Sequence, residues 1–235
     1  MKVSIAIPTY EMHGRGAEML KFCLKTIHSQ TRKPDEVVIS DHSVNDDVMH
    51  VCEEYPDTLI YFRNNEGRGL ISNNLNSSIR LCTGDIIKII CQDDFLFDEN
   101  SLAKIVSNFD LSKGWLVSSY YHTLDKKCLF KLQTPKISGN ILFENLIGTP
   151  TGLTIRNKDI IYFDEKLNWY VDSDYYMRLY QKFGEPIILK DATAVQLLWE
   201  GQTSNTIISF YVIEQEKVYL TEKYAELNHE IINSN

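Results

Sequence analysis

The chain has 235 residues, of which 43% are hydrophobic and 24% charged, and its formal net charge at pH 7 is -8. This composition is that of an ordinary soluble protein with enough apolar residues for one large core. The negative charge disfavours electrostatic binding of nucleic acid, so we expect no nucleic-acid partner.

Three features of the sequence bear on its cellular location. The five cysteines are scattered and have no CxxC spacing, which disfavours a zinc site and a disulfide framework. The first apolar run, VSIAIP, is shorter than a signal peptide would require. No run of about 18 apolar residues is present, so no transmembrane segment is expected. These features predict a cytoplasmic protein.

Strands and helices alternate in the first hundred residues. Four short apolar runs have the composition of buried strands: 3–8, 36–40, 59–63 and 85–90. Apolar residues recur at helical spacing in the segments between them: 20–27, 48–55 and 75–82. This alternation predicts βαβ crossovers, and therefore an α/β fold with a mostly parallel central sheet flanked by helices.

After residue 100 the alternation weakens. The pattern predicts helices at 101–109, 141–148, 172–183 and 207–228. It predicts strands at 115–121, 128–132, 152–156, 186–189 and 193–199. Because no repeat, low-complexity tract or linker interrupts the chain, we expect a single domain, 1–235, with sub-regions 1–100, 101–206 and 207–235.

Three acidic residues lie at the carboxyl ends of predicted strands. Asp41 ends the second strand, and Asp93 and Asp94 follow the fourth. Ligands of parallel sheets bind beyond such strand ends, and the Pro-Thr-Tyr segment beginning at Pro8 lies at another of them. A turn with a helix cap explains the aspartate pair equally well on local grounds. Carboxylates also suit Mg²⁺ or Mn²⁺, which take one or two of them together with substrate phosphates.

A second acidic cluster lies where a helical pattern begins. Asp174 precedes Arg178 by four residues, so a helix start and an i,i+4 ion pair can explain it. These explain Asp172 less well, because Trp169 and Tyr170 place apolar bulk beside it. A carboxylate at a helix start in partly apolar surroundings is a candidate general base.

In order and spacing, these segments resemble the nucleotide-binding half of the inverting glycosyltransferases of family 2, which have the GT-A fold. The shared pattern is a strand ending in Pro-Thr-Tyr, a helix ending in Gln-Thr, a strand ending in aspartate, a Gly/Asn-rich helix, and a strand running into Asp93-Asp94. Downstream, IGTPTGLTIR, FDEKLNWYVDSDYYMRL and EGQTSN resemble the acceptor-side half. The resemblance covers residues 2–206 and implies a Rossmann-like nucleotide-diphospho-sugar transferase domain.

The resemblance also implies roles for individual residues. Those bordering or binding the nucleotide sugar would be Pro8, Thr9, Tyr10, Glu11, Asp41, Asn74, Asn76 and Asp93. Asp41 would hydrogen-bond the base, while Asn74 and Asn76 would lie near the phosphates. Asp94 would be the principal ligand of Mn²⁺ or Mg²⁺, with Asp93 beside it. Asp172 would be the general base.

Two positions depart from the family pattern. The chain reads Cys91-Gln92-Asp93-Asp94 where many members have Asp-x-Asp-Asp. Val171 stands where a glutamate usually precedes the catalytic aspartate. Fewer carboxylates imply weaker metal binding before the donor arrives.

The function implied is that of a metal-dependent, hexosyltransferase-type enzyme. It would move one sugar, with inversion, from a nucleotide-diphosphate sugar (most often a UDP-sugar) to a hydroxyl of a glycan or glycolipid acceptor. Two alternatives stay open: a sugar nucleotidyltransferase, and a nucleotide- or glycan-binding domain without catalysis. The first usually has a basic Gly-rich loop after the first strand, where this chain offers only Arg15. The presence of Asp93, Asp94 and Asp172 counts against the second.

Overall fold

A computed structural model describes residues 1–202 and 209–233, with side chains up to residue 225. The strands are β1 (Val3–Thr9), β2 (Glu36–Asp41), β3 (Leu59–Arg63), β4 (Ile86–Ile89), β5 (Phe95–Leu96), β6 (Trp115–Thr123), β7 (Leu129–Gln133), β8 (Leu153–Arg156) and β9 (Ile187–Leu197). The helices are α1 (Gly16–His28), α2 (Asp47–Glu53), α3 (Ile71–Arg80), α4 (Ser101–Asn108), α5 (Val171–Phe183) and α6 (Phe210–Asn233). Two single-turn 3₁₀ helices lie at Met12–Gly14 and Pro150–Gly152.

All nine strands of the described residues belong to one sheet, in the order β3-β2-β1-β4-β8-β6-β9-β5, with β7 paired to β6. The first four strands pair in parallel, as the βαβ pattern predicted. β8 then runs antiparallel to both β4 and β6, and β9 runs parallel to β6 but antiparallel to β5. The α/β architecture is confirmed, but the sheet is mixed rather than mostly parallel, because β8 enters its middle in the opposite direction.

Two apolar cores lie on the two faces of this sheet. The residues of β1 are fully buried, and their alternating side chains serve both cores: Ile5 and Ile7 belong to one, and Ala6 to the other. The first core includes apolar residues of α1, α2 and α4, and the second includes those of α3, α5 and α6. A strand buried on both faces needs a nearly continuous apolar run, which explains the VSIAIP sequence of β1, where Ser4 is the one polar residue.

The segment 141–148 is not helical, which corrects the prediction from its apolar spacing. The side chain of Asn145 accepts a hydrogen bond from the N–H of Gly148 at 2.8 Å and donates to its carbonyl at 3.2 Å. Gly148 has a φ of 106°, which favours glycine and is incompatible with a continuing helix. The asparagine therefore forms a local turn in competition with helical hydrogen bonds.

The strands predicted at 186–189 and 193–199 are one continuous strand, β9. Its pairing with β6 shifts register on either side of Ser119, so the irregularity accommodates the polar Lys190-Asp191 pair without ending the strand. The short β5 was not predicted, because two residues carry no periodicity.

The final helix was predicted at 207–228, of which 207 and 208 lie outside the described residues. α6 begins at Phe210 and buries Leu220 and Tyr224 in the second core. Within the described ranges, no helix combines the length and apolar character needed to cross a membrane.

Candidate active site

The ends of β1 and β4, the loop after β2, the loop before β8 and the start of α5 surround a cavity of about 880 Å³. The structure brings seven of the predicted site residues to its lining: Pro8, Tyr10, Glu11, Asn74, Asp93, Asp94 and Asp172. Thr9, Asp41 and Asn76 do not line it. Asp94 follows a strand end and Asp172 begins a helix. They are 78 positions apart in the sequence, yet both line this cavity.

Two amide side chains join the strand ends on one side of the cavity. Gln92 accepts a hydrogen bond from the backbone N–H of Tyr10 at 2.9 Å and donates to the carbonyl of Gly16 at 2.7 Å. A Cβ atom at Gly16 would lie 2.2 Å from the Tyr10 carbonyl oxygen, so only glycine permits this close approach. Asn74 donates to the Thr9 carbonyl at 2.8 Å and accepts from the Ser40 hydroxyl at 2.6 Å.

Asp94 is buried and uses both of its oxygens on protein donors. Oδ2 accepts from the hydroxyls of Thr151 at 2.5 Å and Thr149 at 3.4 Å, and Oδ1 accepts from the N–H of Leu197 at 3.0 Å. The role of Asp94 as principal metal ligand stays a prediction: the residue lines the cavity, but protein donors already take three of the roughly four acceptor sites on its carboxylate. The two threonines and the end of β9 hold Asp94 in place.

Asp93 is half-buried at the cavity wall. Its Oδ2 accepts a hydrogen bond from the indole N–H of Trp199 at 3.0 Å. Burial raises the pKa of Asp93, and burial followed by the charge of Asp93 raises the pKa of Asp94 well above its usual range. Two adjacent carboxyls with raised pKa values mark a negative charge that the surrounding protein does not balance.

A buried lysine supports Asp94 through a threonine. Lys88 is fully buried in β4, and its ammonium donates a hydrogen bond to the backbone carbonyl of Thr151. Burial lowers the pKa of Lys88 to about 7, an effect that the charge of Asp94 partly opposes. Sequence reasoning missed this residue, because a single lysine in an apolar strand has no distinguishing pattern.

Asp41 is fully buried and does not line the cavity, so its direct contact with a nucleotide base stays a prediction that this placement does not favour. Its oxygens accept from the N–H of Ser43 at 2.9 Å, the hydroxyl of Tyr61 at 2.8 Å and the hydroxyl of Thr9 at 3.2 Å. The guanidinium of Arg63 lies 3.5 Å away. Asp41 and Thr9 therefore hold the ends of β1 and β2 together without lining the cavity, and residues next to them in the sequence line it.

Asn76 also lies away from the cavity. It accepts from the N–H of Phe163 at 2.7 Å, donates to the Phe163 carbonyl at 2.9 Å and donates to Glu165 at 2.9 Å. These contacts hold the segment that leads towards α5, so the placement gives no support to a role near the phosphates. Asn74, two residues earlier, is on the cavity side of α3.

Asp172 and Asp174 lie in the first turn of α5 but have opposite surroundings. Asp172 lines the cavity, and burial alone raises its pKa to about 7. Asp174 is fully buried and accepts from Arg178 at 2.8 Å, Lys223 at 2.6 Å and Tyr224 at 2.9 Å. The predicted Asp174–Arg178 ion pair is confirmed, and α6 adds two further donors.

The cavity wall has little positive charge to set against its carboxylates. Among the described residues that line it, Arg68 is the only Lys or Arg, whereas Glu11, Asp93, Asp94 and Asp172 are acidic. The guanidinium of Arg68 donates to the carbonyl of Ser43 and the side chain of Asn65. An anionic ligand could therefore bind beside Asp93 and Asp94 only together with a cation that offsets their negative charge.

The donor set fits a hard divalent cation that takes further ligands from its substrate. In the part of the chain that the structure describes, no group of three or more His, Cys, Asp or Glu side chains could hold a metal ion by itself. Asp93 and Asp94 supply carboxylate oxygens, the ligand type that Mg²⁺ and Mn²⁺ prefer. The unbalanced charge of the pair is a second reason why a cation fits here.

Three contributors to the site escaped the sequence reasoning. Trp199, Thr149 and Thr151 all contact the aspartate pair, yet they lie at least 55 residues from it in the chain. Thr149 and Thr151 are in a segment that resembles the acceptor-side half, whereas Trp199 immediately precedes another such segment. Hydroxyl and indole donors are common in any sequence, so the spacing of these three residues does not reveal that they contact the aspartate pair.

Solved structures show the same fold. S. aureus TarS 1-349, in complex with UDP-GlcNAc, matches 89% of this chain and 62% of its own, with a TM-score of 0.64 and 19% identity. The mannosyltransferase PcManGT from Pyrobaculum calidifontis, in complex with GDP-Man and Mn²⁺, matches 85% of this chain and 57% of its own, with a TM-score of 0.61 and 19% identity. Both likenesses show the GT-A fold, and this chain spans about three fifths of the length of each of these two chains and 37% of a longer TarS chain.

Sequence comparison gives the family. No curated protein matches the chain. The model of glycosyl transferase family 2 matches residues 4–170, which is well over half of the chain and runs from the second residue of β1 past the end of β8. Together with the GT-A fold and the aspartates at the ends of its strands, this match shows that the chain belongs to glycosyl transferase family 2.

Proposed function

We propose that the protein is a metal-dependent, inverting glycosyltransferase that transfers one sugar from a nucleotide-diphosphate sugar to a hydroxyl group of a glycan or glycolipid. The observation that carries this proposal is the meeting of the Asp93-Asp94 pair and Asp172 in one cavity. The Asp93-Asp94 pair can hold a cation beside a diphosphate, and Asp172 can accept a proton. The donors bound to the two similar structures, UDP-GlcNAc and GDP-Man, support a nucleotide sugar.

The donor side of the cavity comprises the strand-end residues Pro8 to Glu11, with Asn74, Asp93 and Asp94. We place the nucleotide there, with the base against Pro8 and Tyr10. Asp41 acts indirectly by fixing the N–H of Ser43 and the hydroxyl of Thr9.

Asp93 is the better placed of the two aspartates to hold the cation, because Asp94 already uses both oxygens on protein donors. The cation, Mn²⁺ or Mg²⁺, would supply positive charge for the departing nucleoside diphosphate. Asp94 keeps the loop carrying Asp93 in position through Thr151 and Leu197. Arg68 adds the one guanidinium in the described lining.

The acceptor side comprises residues 168–173, which precede and begin α5. Asp172 removes the proton of the acceptor hydroxyl as that oxygen attacks the anomeric carbon of the donor sugar. A carboxyl with a pKa of about 7 suits this task, because a general base works best when its pKa lies near the working pH. Direct attack in a single displacement inverts the configuration of the sugar.

The test is a panel of nucleotide sugars and acceptors with Mn²⁺, with Mg²⁺ and with a chelator. We expect sugar transfer and release of nucleoside diphosphate only with a divalent ion, and a metal-dependent rise in melting temperature with the right donor. Release of pyrophosphate from a nucleoside triphosphate and a sugar phosphate would instead identify a nucleotidyltransferase. Donor binding without turnover on any acceptor would identify a binding domain.

A further inference from the structure

A carboxylate from α6 holds the backbone that leads into α5. Glu216 is 6% exposed. Its Oε1 accepts a hydrogen bond from the N–H of Asn168 at 2.7 Å, and its Oε2 accepts from the N–H groups of Trp169 at 2.9 Å and Tyr170 at 3.0 Å. Three consecutive backbone N–H groups thus converge on one carboxylate, as they do in backbone anion sites.

The segment that Glu216 holds is part of the cavity wall. Asn168, Trp169 and Tyr170 all line the cavity and run directly into Asp172. Tyr170, the residue preceding the first turn of α5, makes no capping hydrogen bond with its own side chain. The segment therefore depends on a residue 46 to 48 positions away for three of its backbone hydrogen bonds.

α6 has other attachments further along its length. Lys223 donates to Asp164 at 2.7 Å and to Asp174 at 2.6 Å, and Tyr219 donates to Asp164 at 2.7 Å. These contacts reach the segment before the one that Glu216 holds and the helix after it. Removing the Glu216 carboxylate thus leaves α6 docked and changes the support of only one segment.

We propose that Glu216 is a positioning residue for transfer: by fixing the backbone of residues 168–170, it sets the position from which Asp172 meets the acceptor hydroxyl. This inference rests on the proposed function of Asp172. It assigns the helix α6, whose sequence pattern is that of a structural amphipathic helix, a role in turnover. A displacement of about 1 Å at a reacting group can lower a rate by about a hundredfold, which is the scale of effect at stake.

The test compares Glu216→Gln with Tyr219→Phe. Glutamine has nearly the same shape as glutamate but carries one acceptor oxygen, and its amide donors face backbone N–H groups. Tyr219→Phe removes one hydrogen bond of α6 to Asp164 and none to residues 168–170, so it controls for weaker docking of the helix. Glu216→Asp keeps the charge but shortens the side chain by one methylene, and it should show the same changes at smaller size.

Two measurements are made on each variant. In Glu216→Gln, we expect kcat to fall by about 10-fold to 100-fold while the KM for the donor stays within about twofold, because the donor side is untouched. We also expect the amide hydrogens of residues 168–170 to exchange at least about tenfold faster, because they lose their acceptor. Tyr219→Phe should change neither quantity.

Equal amide exchange in Glu216→Gln, Glu216→Asp and Tyr219→Phe would show that Glu216 does not hold the segment, which overturns the inference. Faster exchange with an unchanged kcat would overturn the positioning role. Asp172→Asn, assayed on the same acceptor, separates the two proposals: full transfer by that variant overturns the proposed function itself.

Discussion

On the donor side of the cavity, the amides of Gln92 and Asn74 join the strand ends together with the buried carboxylate of Asp41, whereas on the acceptor side charged side chains of α6 hold the segment before α5. Gln92 and Asn74 link the ends of β1, β2 and β4 through amide hydrogen bonds. Glu216 and Lys223, both from α6, hold the surroundings of Asp172. The donor side is therefore fixed by the strand ends and α3, and the acceptor side by α6.

This difference has a consequence for how the two sides can vary. Strand ends cannot shift without disturbing the pairing of neighbouring strands, so the donor side tolerates little displacement. The acceptor side depends on a few side chains of α6, and changes in these can move it without touching the sheet. We therefore expect substitutions in α6 to affect transfer more than donor binding.

The largest effect that the comparison predicts is on turnover. Asp172→Asn keeps the size of the side chain but cannot accept the proton, so transfer should fall by about 10²-fold to 10⁴-fold. Affinity for the donor with Mn²⁺ should be unchanged, because Asp172 lies on the acceptor side. Single-turnover transfer and donor titration, measured on the same preparation, check both halves. A matching loss of donor affinity would break the separation of the two sides.

The second prediction concerns stability and uses the carboxylate two residues later. Asp174→Ala leaves Lys223 and Arg178 without their shared partner, and removing one member of a buried ion pair costs about 3 kcal/mol. Urea unfolding should show this loss, while the folded variant keeps its donor affinity. Asp172→Asn is the matched control and should show no such loss. Equal stability of Asp174→Ala and the parent would contradict the account of how α6 is held.

The third prediction divides the aspartate pair on the donor side. Asp93→Asn should lower donor affinity in the presence of Mn²⁺ by at least about 10-fold, because loss of even an outer-shell partner of a metal ligand typically costs about 10-fold to 100-fold. Asp94→Asn keeps one carbonyl oxygen for Thr151 or Leu197, so it should lower the melting temperature and weaken metal-dependent binding less than Asp93→Asn. Donor titrations with Mn²⁺ and with a chelator check the order. The reverse order would restore Asp94 as the principal ligand.

The donor side of the cavity could be predicted from the sequence more fully than the acceptor side. The donor side was largely predictable, because buried parallel strands have apolar runs and ligands bind beyond their carboxyl ends. What the sequence could not indicate was which way each polar side chain points. Asp41 and Asn76 occupy plausible positions, but one is fully buried and the other supports the segment at Phe163.

The acceptor side was predictable only in part. Asp172 was found because it begins a helical pattern beside apolar residues, and Asp174 because of its spacing to Arg178. Glu216 was not found, since a single glutamate on a long helix has no local pattern that reveals its partners. Contacts between residues nearly 50 positions apart depend on how β8, α5 and α6 pack together, and this is settled only by the whole fold.

The smallest predicted effect is a dependence on pH, and it again distinguishes Asp172 from its neighbours. The pKa of Asp172 is raised from its ordinary value of 3.8 to about 7 by burial, so kcat/KM should rise as the pH increases through about 7 and level off above it. The same shift acts on stability in the opposite direction. Between about pH 4 and pH 7 the folded state binds a proton that the unfolded state has lost, so the free energy of unfolding falls as the pH rises.

Asp172→Asn removes this group and should therefore raise the melting temperature at pH 8 but leave it nearly unchanged at pH 3, where the aspartate is mostly protonated in both states. Asp174→Asn should show no such gain at pH 8, because three donors already stabilise that carboxylate. Melting curves of the parent and both variants at the two pH values provide the measurement. If Asp172→Asn melts no higher than the parent at pH 8, burial does not penalise the charge of Asp172, and a general base working near pH 7 would need another explanation.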